Sequence, residues 1–384
     1  MREFSLTQEE VERYRRHLVL PEVTLAGQKR IKAASVLCIG VGGLGSPLAL
    51  YLTAAGVGRL GLVDNDTVDL SNMQRQILFG TGDIGRPKTE VARERLSSLN
   101  PHVEVVAHCQ RLTQENALSL IEDYEIVADA SDNFPTRYLV NDACVLSGKP
   151  DVHASIFRFE GQLSVFDASR GPCYRCIFPA PPPPGQVPSC ADAGVLGALP
   201  GMIGSMQALE VLKLILGKGE PLIGRLALID TLSFCLREIA VRKDPLCPIC
   251  GSSPSIRELS DDEAVCGGPS PKGMKEPERI PQIEAERLQE QLAAGASIRL
   301  LDVREPYEAA IARIAEALLI PLAQLPLRLK ELDPAAEYVV YCHTGIRSLH
   351  AARLMHEAGF KRVWNLMGGI EAWSARVDPS TPRY

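Results

Sequence analysis

The sequence predicts an α/β protein with two domains: a first domain built on a mostly parallel sheet, followed by a smaller α/β domain. One observation is a glycine-rich turn between an apolar run and a helix-like segment, at residues 35–55. A second is the repeated alternation of strand-like and helix-like segments after this turn. A third is a shorter alternation that begins at Ile280, after a stretch rich in glycine and proline. We therefore expect a first domain over residues 1–268, a linker over 269–279 and a second domain over 280–384.

The composition is that of an ordinary globular protein, with 46% apolar and 23% charged residues in a chain of 384. A net charge of −6 and the absence of a basic stretch argue against nucleic-acid binding. We also expect no membrane association, because the first residues are polar and no run of about eighteen apolar residues occurs. The eleven cysteines favour metal ligands and reactive thiols over disulfides, and we expect a cytoplasmic protein.

The glycine-rich turn has the sequence GVGGLG and contains Gly40, Gly42, Gly43 and Gly45. Glycines at a strand-to-helix turn let backbone N–H groups and the positive helix end approach a phosphate closely. Asp64 follows the next apolar run about twenty residues later, where a carboxylate of a Rossmann-type site binds ribose hydroxyls. The pattern predicts a nucleotide site, but a dehydrogenase cofactor site or a structural turn explains the glycines equally well.

The alternation of strands and helices predicts where ligand-binding residues meet. Strand-like segments end near Ile39, Asp64, His108, Ala130 and Ser155, and helices are expected over 47–55, 88–99, 114–123 and 137–147. Further on, residues 159–166 and 225–236 are expected to form strands and residues 194–216 a long apolar helix. Because ligands of a parallel sheet bind at the carboxyl ends of its strands, Gly40, Asp64 and residues 129–133 should lie together.

Two cations near this turn favour ATP over NAD. Arg75 and Lys88 provide the separated positive charges that a triphosphate requires. Asp132, at the end of a later strand, is a candidate magnesium ligand because the ion prefers carboxylate oxygens. Each of these residues alone could form a surface ion pair, but their joint position at strand ends favours a site.

The motifs of the first domain resemble those of the ThiF/MoeB adenylyltransferases, which are related to ubiquitin-activating enzymes. The resemblance rests on GVGGLG at 40–45, DND at 64–66, SNMQRQ at 71–76, Lys88 and SDN at 131–133. It implies adenylation of the C-terminal glycine of a ubiquitin-like sulfur carrier protein that ends in Gly-Gly. No general base is needed, because the attacking carboxylate is already ionised, and we expect His17, His102, His108 and His153 to be structural or surface residues.

The resemblance also assigns individual residues. Asp64 would bind the ribose, Asp132 the magnesium, and the phosphates would be bound by Arg75, Gln76 and Lys88, with Asn72 in the same motif. Arg16 lies in a segment from Leu6 to Leu20 with apolar residues at helical spacing, where exposed arginines are ordinarily solvated. In the family an arginine at this position reaches the ATP site of the other subunit, which implies a homodimer.

Two CxxC pairs, Cys173 with Cys176 and Cys247 with Cys250, can each hold one side of a tetrahedral zinc ion. The alternative is four buried or redox-active cysteines; the family commonly carries a structural zinc here. Cys190 follows a proline-rich loop and matches the family thiol that bonds covalently to the carrier terminus. A buried free cysteine is the alternative for Cys190.

The second domain carries the loop CHTGIRS, from Cys342 to Ser348, between an apolar strand and a helix. Such a loop directs N–H groups and the helix dipole at the sulfur and places Arg347 near it, which stabilises a thiolate. Four residues separate Cys342 from Arg347, whereas a related phosphatase loop has five. The loop and its flanking segments resemble a single rhodanese domain over about 280–373, with Asp302 and Arg304 as structural supports.

Together, the two domains predict one reaction cycle, typical of the two-domain proteins that activate molybdopterin-synthase carriers in molybdenum cofactor biosynthesis. The first domain adenylates the carrier; Cys342, loaded with persulfide by a donor such as a cysteine desulfurase, attacks the adenylate; and Cys190 releases the thiocarboxylate. Arg75, Asp132, Cys342 and Cys190 are therefore the candidate catalytic residues. The alternatives are an NAD-dependent oxidoreductase fused to a sulfurtransferase, and a non-catalytic scaffold that binds a ubiquitin-like protein.

Overall fold

The computed structural model describes residues 5–182, 194–259 and 280–384. The described residues up to Leu259 belong to one compact unit and those from Ile280 to a second. Each unit has its own sheet and its own apolar core.

The first unit contains eight strands in one sheet. Its strands are β1 (Ser35–Ile39), β2 (Arg59–Val63), β3 (Glu104–His108), β4 (Ile126–Asp129), β5 (Asp151–Phe157), β6 (Glu160–Phe166), β7 (Arg225–Asp230) and β8 (Cys235–Ala240). Its helices are α1 (Gln8–Arg13), α2 (Arg15–Leu18), α3 (Thr24–Ala33), α4 (Gly45–Ala55), α5 (Lys88–Leu99), α6 (Ala117–Glu122), α7 (Phe134–Ser147) and α8 (Ala198–Leu216).

The strand order is β3-β2-β1-β4-β5-β6-β7-β8. All pairs from β3 to β5 are parallel, and β5 to β8 form an antiparallel meander. The sheet is therefore mostly parallel, as the alternating pattern predicts. The carboxyl ends of β1, β2 and β4 meet at one edge, directly before the glycine turn, Asp64 and Ala130.

Helix α8 packs against α4 and against strands β5 and β6. Among the described residues it is the one helix that is long and apolar enough, by length and composition, to cross a membrane. Its apolar sequence contains the charged residues Glu210 and Lys213, and the buried Gln207 donates to the carbonyl oxygens of Asp129 on β4 and Val152 on β5. These contacts are those of the core helix of a globular domain.

The second unit has a five-stranded parallel sheet in the order β11-β10-β12-β13-β9. Its strands are β9 (Gln282–Ile283), β10 (Ile298–Asp302), β11 (Leu318–Leu319), β12 (Glu337–Tyr341) and β13 (Val363–Leu366). Its helices are α9 (Ala285–Ala293), α10 (Pro306–Ile311), α11 (Leu325–Arg328), α12 (Ile346–Glu357) and α13 (Gly369–Arg376).

The structure differs from the sequence expectation in four local features. The helical segment expected over Leu6 to Leu20 is two short helices, α1 and α2, that meet at Tyr14. The closing strand expected over 225–236 is a hairpin of β7 and β8, because Thr231–Phe234 form a turn. Strands β9 and β11 were not predicted, since two-residue strands carry no periodicity.

Candidate functional sites

A cavity of about 350 Å³ lies at the carboxyl ends of β1, β2 and β4. Its wall includes Gly40, Gly42, Gly43, Asp64, Asp66, Arg75, Gln76, Lys88, Ser131, Asp132, Asn133 and Arg137. The structure thus brings most of the candidate nucleotide-binding residues to one cavity. Asp66 and Asn133 lie in the DND and SDN motifs, although the sequence assigned them no individual role. Arg137, on α7, was not assigned a role either.

The turn between β1 and α4 depends on two glycines with different roles. Gly40 has φ +88°, and a Cβ there would lie 2.9 Å from the carbonyl oxygen of Ala130. A Cβ on Gly45 would lie 2.0 Å from the carbonyl oxygen of Gly40. Gly45 is not part of the cavity wall. Because it has no side chain, α4 can begin directly behind the turn.

Asp64 fixes the turn to the end of β2. One carboxylate oxygen accepts the backbone N–H of Val41 at 2.9 Å, and the other accepts that of Asp66 at 2.9 Å. Burial raises the pKa of Asp64, and the positive charge of Lys88 and the two N–H donors oppose this shift only in part. Asp64 is thus a hydrogen-bond acceptor that also lines the cavity.

The candidate cations are held in place by their neighbours. Lys88 is buried, and its Nζ lies 2.8 Å from Oδ2 of Asp66. Arg75 donates from Nη1 to the carbonyl oxygen of Ser71 at 2.9 Å. Asn72 lies outside the cavity wall, but its carbonyl oxygen accepts the N–H groups of Arg75 and Gln76. Asn72 therefore shapes the turn that carries these two side chains.

Arg16 lies on α2, is exposed, and is not part of the cavity wall of its own chain. Arg16 is therefore free of the nucleotide cavity of its own chain, and its expected role in the site of a second copy stays a prediction.

A buried cluster beneath the cavity was missed by sequence reasoning. Nδ1 of His153 lies 3.1 Å from Oδ2 of Asp129, whose Oδ1 accepts the N–H of Ser131 at 2.9 Å. Burial alone would raise the pKa of Asp129, but the hydrogen bonds and charge of His153 outweigh burial and lower it. Burial and the charge of Asp129 raise the pKa of neighbouring Asp151. This cluster supports the backbone of the segment that carries Asp132.

The two CxxC pairs converge on one point. The Sγ–Sγ distances are 3.9 Å for Cys173 and Cys176, 3.6 Å for Cys173 and Cys247, and 3.4 Å for Cys176 and Cys250. Four thiolates at 2.3 Å from a zinc ion are separated by about 3.8 Å in a tetrahedron. The backbone N–H of Asp244 also donates to the sulfur of Cys176 at 3.4 Å. The cluster therefore has the ligand set and spacing of a tetrahedral metal site.

Cys190 and the linker expected over 269–279 lie outside the described residues.

Cys342 lies at the end of β12 in the second unit and is buried. Its sulfur accepts the N–H of Gly345 at 3.1 Å and the hydroxyl of Ser348 at 3.4 Å. Helix α12 begins at Ile346, so its N-terminal turn follows this donor directly. The loop thus directs two hydrogen-bond donors and a positive helix end at one sulfur.

Arg347, on α12, forms an ion pair with a carboxylate of a neighbouring helix. Its Nη1 and Nη2 lie 2.8 and 2.6 Å from the two carboxylate oxygens of Glu308 on α10. Arg304, fully buried, pairs in the same way with Asp302 through Nε and Nη2 at 2.9 and 2.5 Å. Asp302 and Arg304 have the supporting position that the sequence suggests, whereas nothing in the sequence pointed to Glu308.

Comparison with known proteins identifies both units. Residues 14–249 match the ThiF family and residues 284–376 the rhodanese-like domain. "Adenylyltransferase and sulfurtransferase MOCS3" of Mus musculus is 44% identical over 99% of this chain and 88% of its own length. "Sulfur carrier protein adenylyltransferase" of Thermus thermophilus is 55% identical over 68% of this chain and 98% of its own length.

Among solved structures, E. coli MccB aligns with a TM-score of 0.58 at 21% identity, over 67% of this chain and 76% of that chain. At this identity the likeness concerns the fold alone, and it agrees with the mostly parallel sheet of the first unit. The length and identity of the family matches go further: this chain belongs to the ThiF family and carries a C-terminal rhodanese-like domain.

Proposed function

We propose that this chain uses ATP to adenylate the C-terminal glycine of a ubiquitin-like sulfur carrier protein and then transfers persulfide sulfur from Cys342 to that carrier. The observation that carries the proposal is a cation-bearing cavity of about 350 Å³ in the same chain as a loop that directs two hydrogen-bond donors at the Cys342 sulfur. The names of the two relatives, a sulfur carrier adenylyltransferase and an adenylyltransferase/sulfurtransferase, support it.

In the first step the carrier carboxylate attacks the α-phosphorus of ATP, and pyrophosphate leaves. Arg75, Gln76 and Lys88 bind the phosphates, Asp64 the ribose, and the turn at Gly40 to Gly43 offers backbone N–H groups. Asp132, whose exposed carboxylate lines the same cavity, would hold magnesium, which neutralises phosphate charge when bound. The protein thus contributes orientation and charge neutralisation, because the nucleophile is already ionised.

In the second step the terminal sulfur of a Cys342 persulfide attacks the acyl carbon, and AMP leaves. The product is an acyl disulfide that joins the carrier to Cys342. A second thiol, with Cys190 as the candidate, attacks the Cys342 sulfur, releases the carrier thiocarboxylate and leaves a disulfide that a thiol reductant must reduce. A cysteine desulfurase is the candidate sulfur donor. This chemistry requires free thiols, which favours a reducing, cytoplasmic compartment.

The carrier needs a docking surface beside the nucleotide cavity, and we assign it to the β7–β8 hairpin. Register pairs Phe157 with Glu160, Glu160 with Asp230 and Asp230 with Cys235, so the hairpin turn lies at the cavity edge of the sheet. Phe234 in this turn is 94% exposed, and Leu232 and Leu236 are exposed beside it. An apolar patch of this kind fits a folded protein partner better than a metabolite.

We further propose that a second copy of the chain covers the face formed by α2, α3, α4 and α8. Helices α3, α4 and α8 expose Leu25, Tyr51 and Leu209, Val19 is exposed directly after α2, and α3 and α4 both pack on α8. Arg16 is exposed on α2, and in this arrangement it would complete the partner's nucleotide site. Mixing Arg16→Ala and Lys88→Ala copies then restores adenylation, because each mixed dimer contains one intact site. No restoration after exchange of subunits would contradict this arrangement.

Zinc is the metal we propose for the four cysteines. The four-thiolate set leaves no open position for a substrate, so the ion would stabilise the end of the first unit.

The function is tested by ATP–pyrophosphate exchange with a panel of carriers that end in Gly-Gly, followed by intact mass of each carrier. One carrier should support exchange and gain the mass of an oxygen-to-sulfur replacement. Cys342→Ala should keep the exchange and abolish the mass gain. If none of the carriers supported exchange, a scaffold role would be favoured. NAD binding without ATP binding would favour an oxidoreductase.

A further inference from the structure

The segment from Asp378 to Tyr384 folds back over the Cys342 loop of the second unit. The Asp378 carboxylate accepts hydrogen bonds from the backbone N–H and hydroxyl of Ser380 and from the hydroxyl of Thr381. Arg383 pairs with Glu371 on α13. These contacts, with Pro379 inside the turn and Pro382 directly after it, give the segment a defined path that ends at Tyr384.

The aromatic ring of Tyr384 stacks on His343, the residue that follows Cys342. The ring centroids lie 4.6 Å apart, and the ring planes are inclined by 9°. The backbone carbonyl of His343 also accepts the N–H of Glu371 at 3.1 Å, and that of Cys342 accepts the N–H of Ile370 at 2.8 Å. The start of the loop is thus held by α13 on its backbone and by Tyr384 on its side chain.

The hydroxyl of Tyr384 reaches the other side of the loop. It accepts a hydrogen bond from Nη1 of Arg304 at 2.6 Å and donates to Oε1 of Glu308 at 3.4 Å. Glu308 is the carboxylate that holds both terminal nitrogens of Arg347. Burial raises the pKa of Tyr384 to about 12, so the hydroxyl keeps its proton and its role as donor at neutral pH.

We propose that Tyr384 is a positioning residue for sulfur transfer at Cys342. It fixes His343 by stacking and Arg347 through Glu308, so that the Gly345 N–H and the Ser348 hydroxyl stay directed at the sulfur. The inference rests on the proposed sulfur transfer at Cys342. Tyr384 forms and breaks no covalent bond in this role.

The test uses the full chain with thiosulfate and cyanide as probes. Thiosulfate gives its outer sulfur to the Cys342 thiolate and releases sulfite, and cyanide removes that sulfur as thiocyanate. Tyr384→Ala should lower kcat by about tenfold with little change in KM for thiosulfate, since a loosened loop misplaces the nucleophile. Tyr384→Phe keeps the ring and loses only the hydroxyl's hydrogen bonds to Arg304 and Glu308, so kcat should fall by only about threefold. Tyr307→Phe removes the hydroxyl of an exposed tyrosine on α10 and is the matched control.

A double-mutant cycle separates positioning from a general loss of stability. The effects of Tyr384→Phe and Glu308→Gln on kcat should be non-additive, because the hydroxyl acts through that carboxylate. The proposal would be overturned by additive effects of the two substitutions or by an unchanged kcat in Tyr384→Ala. A higher kcat in Tyr384→Ala would also overturn it, because the segment would then act as a lid over the loop. If the wild-type chain forms no thiocyanate and Cys342 gains no sulfur by mass, the proposed function itself fails instead.

Discussion

The carboxylate of Asp64 accepts the backbone N–H of Val41 at 2.9 Å and so ties the glycine turn to the end of the neighbouring strand. The same side chain lines the cavity and accepts the N–H of Asp66. One carboxylate therefore shapes the turn and places an acceptor at the wall of the cavity. This double role makes Asp64 more sensitive to substitution than a residue that only contacts nucleotide.

Asp64→Ala should raise KM for ATP by roughly 10- to 100-fold, because it removes a charged acceptor from the site and leaves the Val41 N–H without this partner. Asp64→Asn, which keeps one acceptor oxygen, should have a smaller effect. ATP–pyrophosphate exchange measures both. Asp123→Ala, at an exposed position, is the control, and an unchanged KM in Asp64→Ala would refute the assignment.

Lys88→Ala should lower kcat/KM for adenylation by about 100-fold or more, because a buried cation in the cavity wall would stabilise the charge that develops on the phosphates during transfer. Arg93→Ala on the same helix is the matched control, since Arg93 is exposed and pairs with Glu90. Equal losses in the two variants would mean that helix α5 contributes only structure.

Gly45→Ala should destabilise the first unit by about 3 kcal/mol, because the new Cβ would lie 2.0 Å from the Gly40 carbonyl oxygen. Gly82→Ala is the control, since a Cβ at Gly82 meets nothing within 4 Å. Urea unfolding followed by circular dichroism compares the two. A Gly45→Ala midpoint equal to that of wild type would contradict the tight packing of the turn.

Glu308→Gln should destabilise the second unit by about 3 kcal/mol near neutral pH, because it breaks a largely buried ion pair. Burial alone would raise the pKa of Glu308, but Arg347 and the Glu305 N–H outweigh burial and lower the pKa below the ordinary value of a glutamate. The folded state thus binds this proton less tightly than the unfolded state. The stabilisation is present above about pH 4.5 and is lost as the pH falls through the lowered pKa.

Thermal unfolding between pH 7 and pH 3 tests the Glu308 prediction. The melting temperature of the second unit should fall with pH, and the fall should be shallower in Glu308→Gln. Parallel curves for the two proteins would show that other carboxylates govern acid unfolding.

The purified protein should contain one tetrahedrally bound zinc per chain, measured by elemental analysis. Removal of the metal by a chelator, or Cys176→Ser, should destabilise the first unit by several kcal/mol. The unfolded chain has no preformed metal site, so the free energy of metal binding adds to the free energy of folding. Cys109→Ser, at an exposed cysteine outside the cluster, should leave metal content and melting temperature unchanged. Full stability without zinc would favour four buried thiols.

Patterns local in sequence predicted much of this architecture. The glycine turn at Gly40, the two CxxC pairs and the Cys342 loop are short motifs whose geometry is set by backbone sterics and strand order. Parallel strands bring their ends to one edge, so the convergence of Asp64 with Asp132 followed from the alternation alone.

The features that could not be predicted depend on side chains distant in sequence. Glu308 meets Arg347 across 39 residues, and Tyr384 meets Glu308 across 76. His153 is buried, as expected of a structural histidine, but its partner Asp129 lies 24 residues away in the sequence and could not be predicted. The sequence predicts one closing strand region over 225–236, because Leu232 and Phe234 continue its apolar pattern. In the structure both side chains are exposed in the turn of the β7–β8 hairpin.

The pairing of Arg304 with Asp302 and of Arg347 with Glu308 has a consequence for how reactants reach Cys342. Each guanidinium charge is cancelled within a few ångströms, so these pairs project little electric field beyond the loop. These two pairs therefore contribute little to electrostatic steering towards this sulfur. Their share of the salt dependence of a sulfur donor's association rate should accordingly be small.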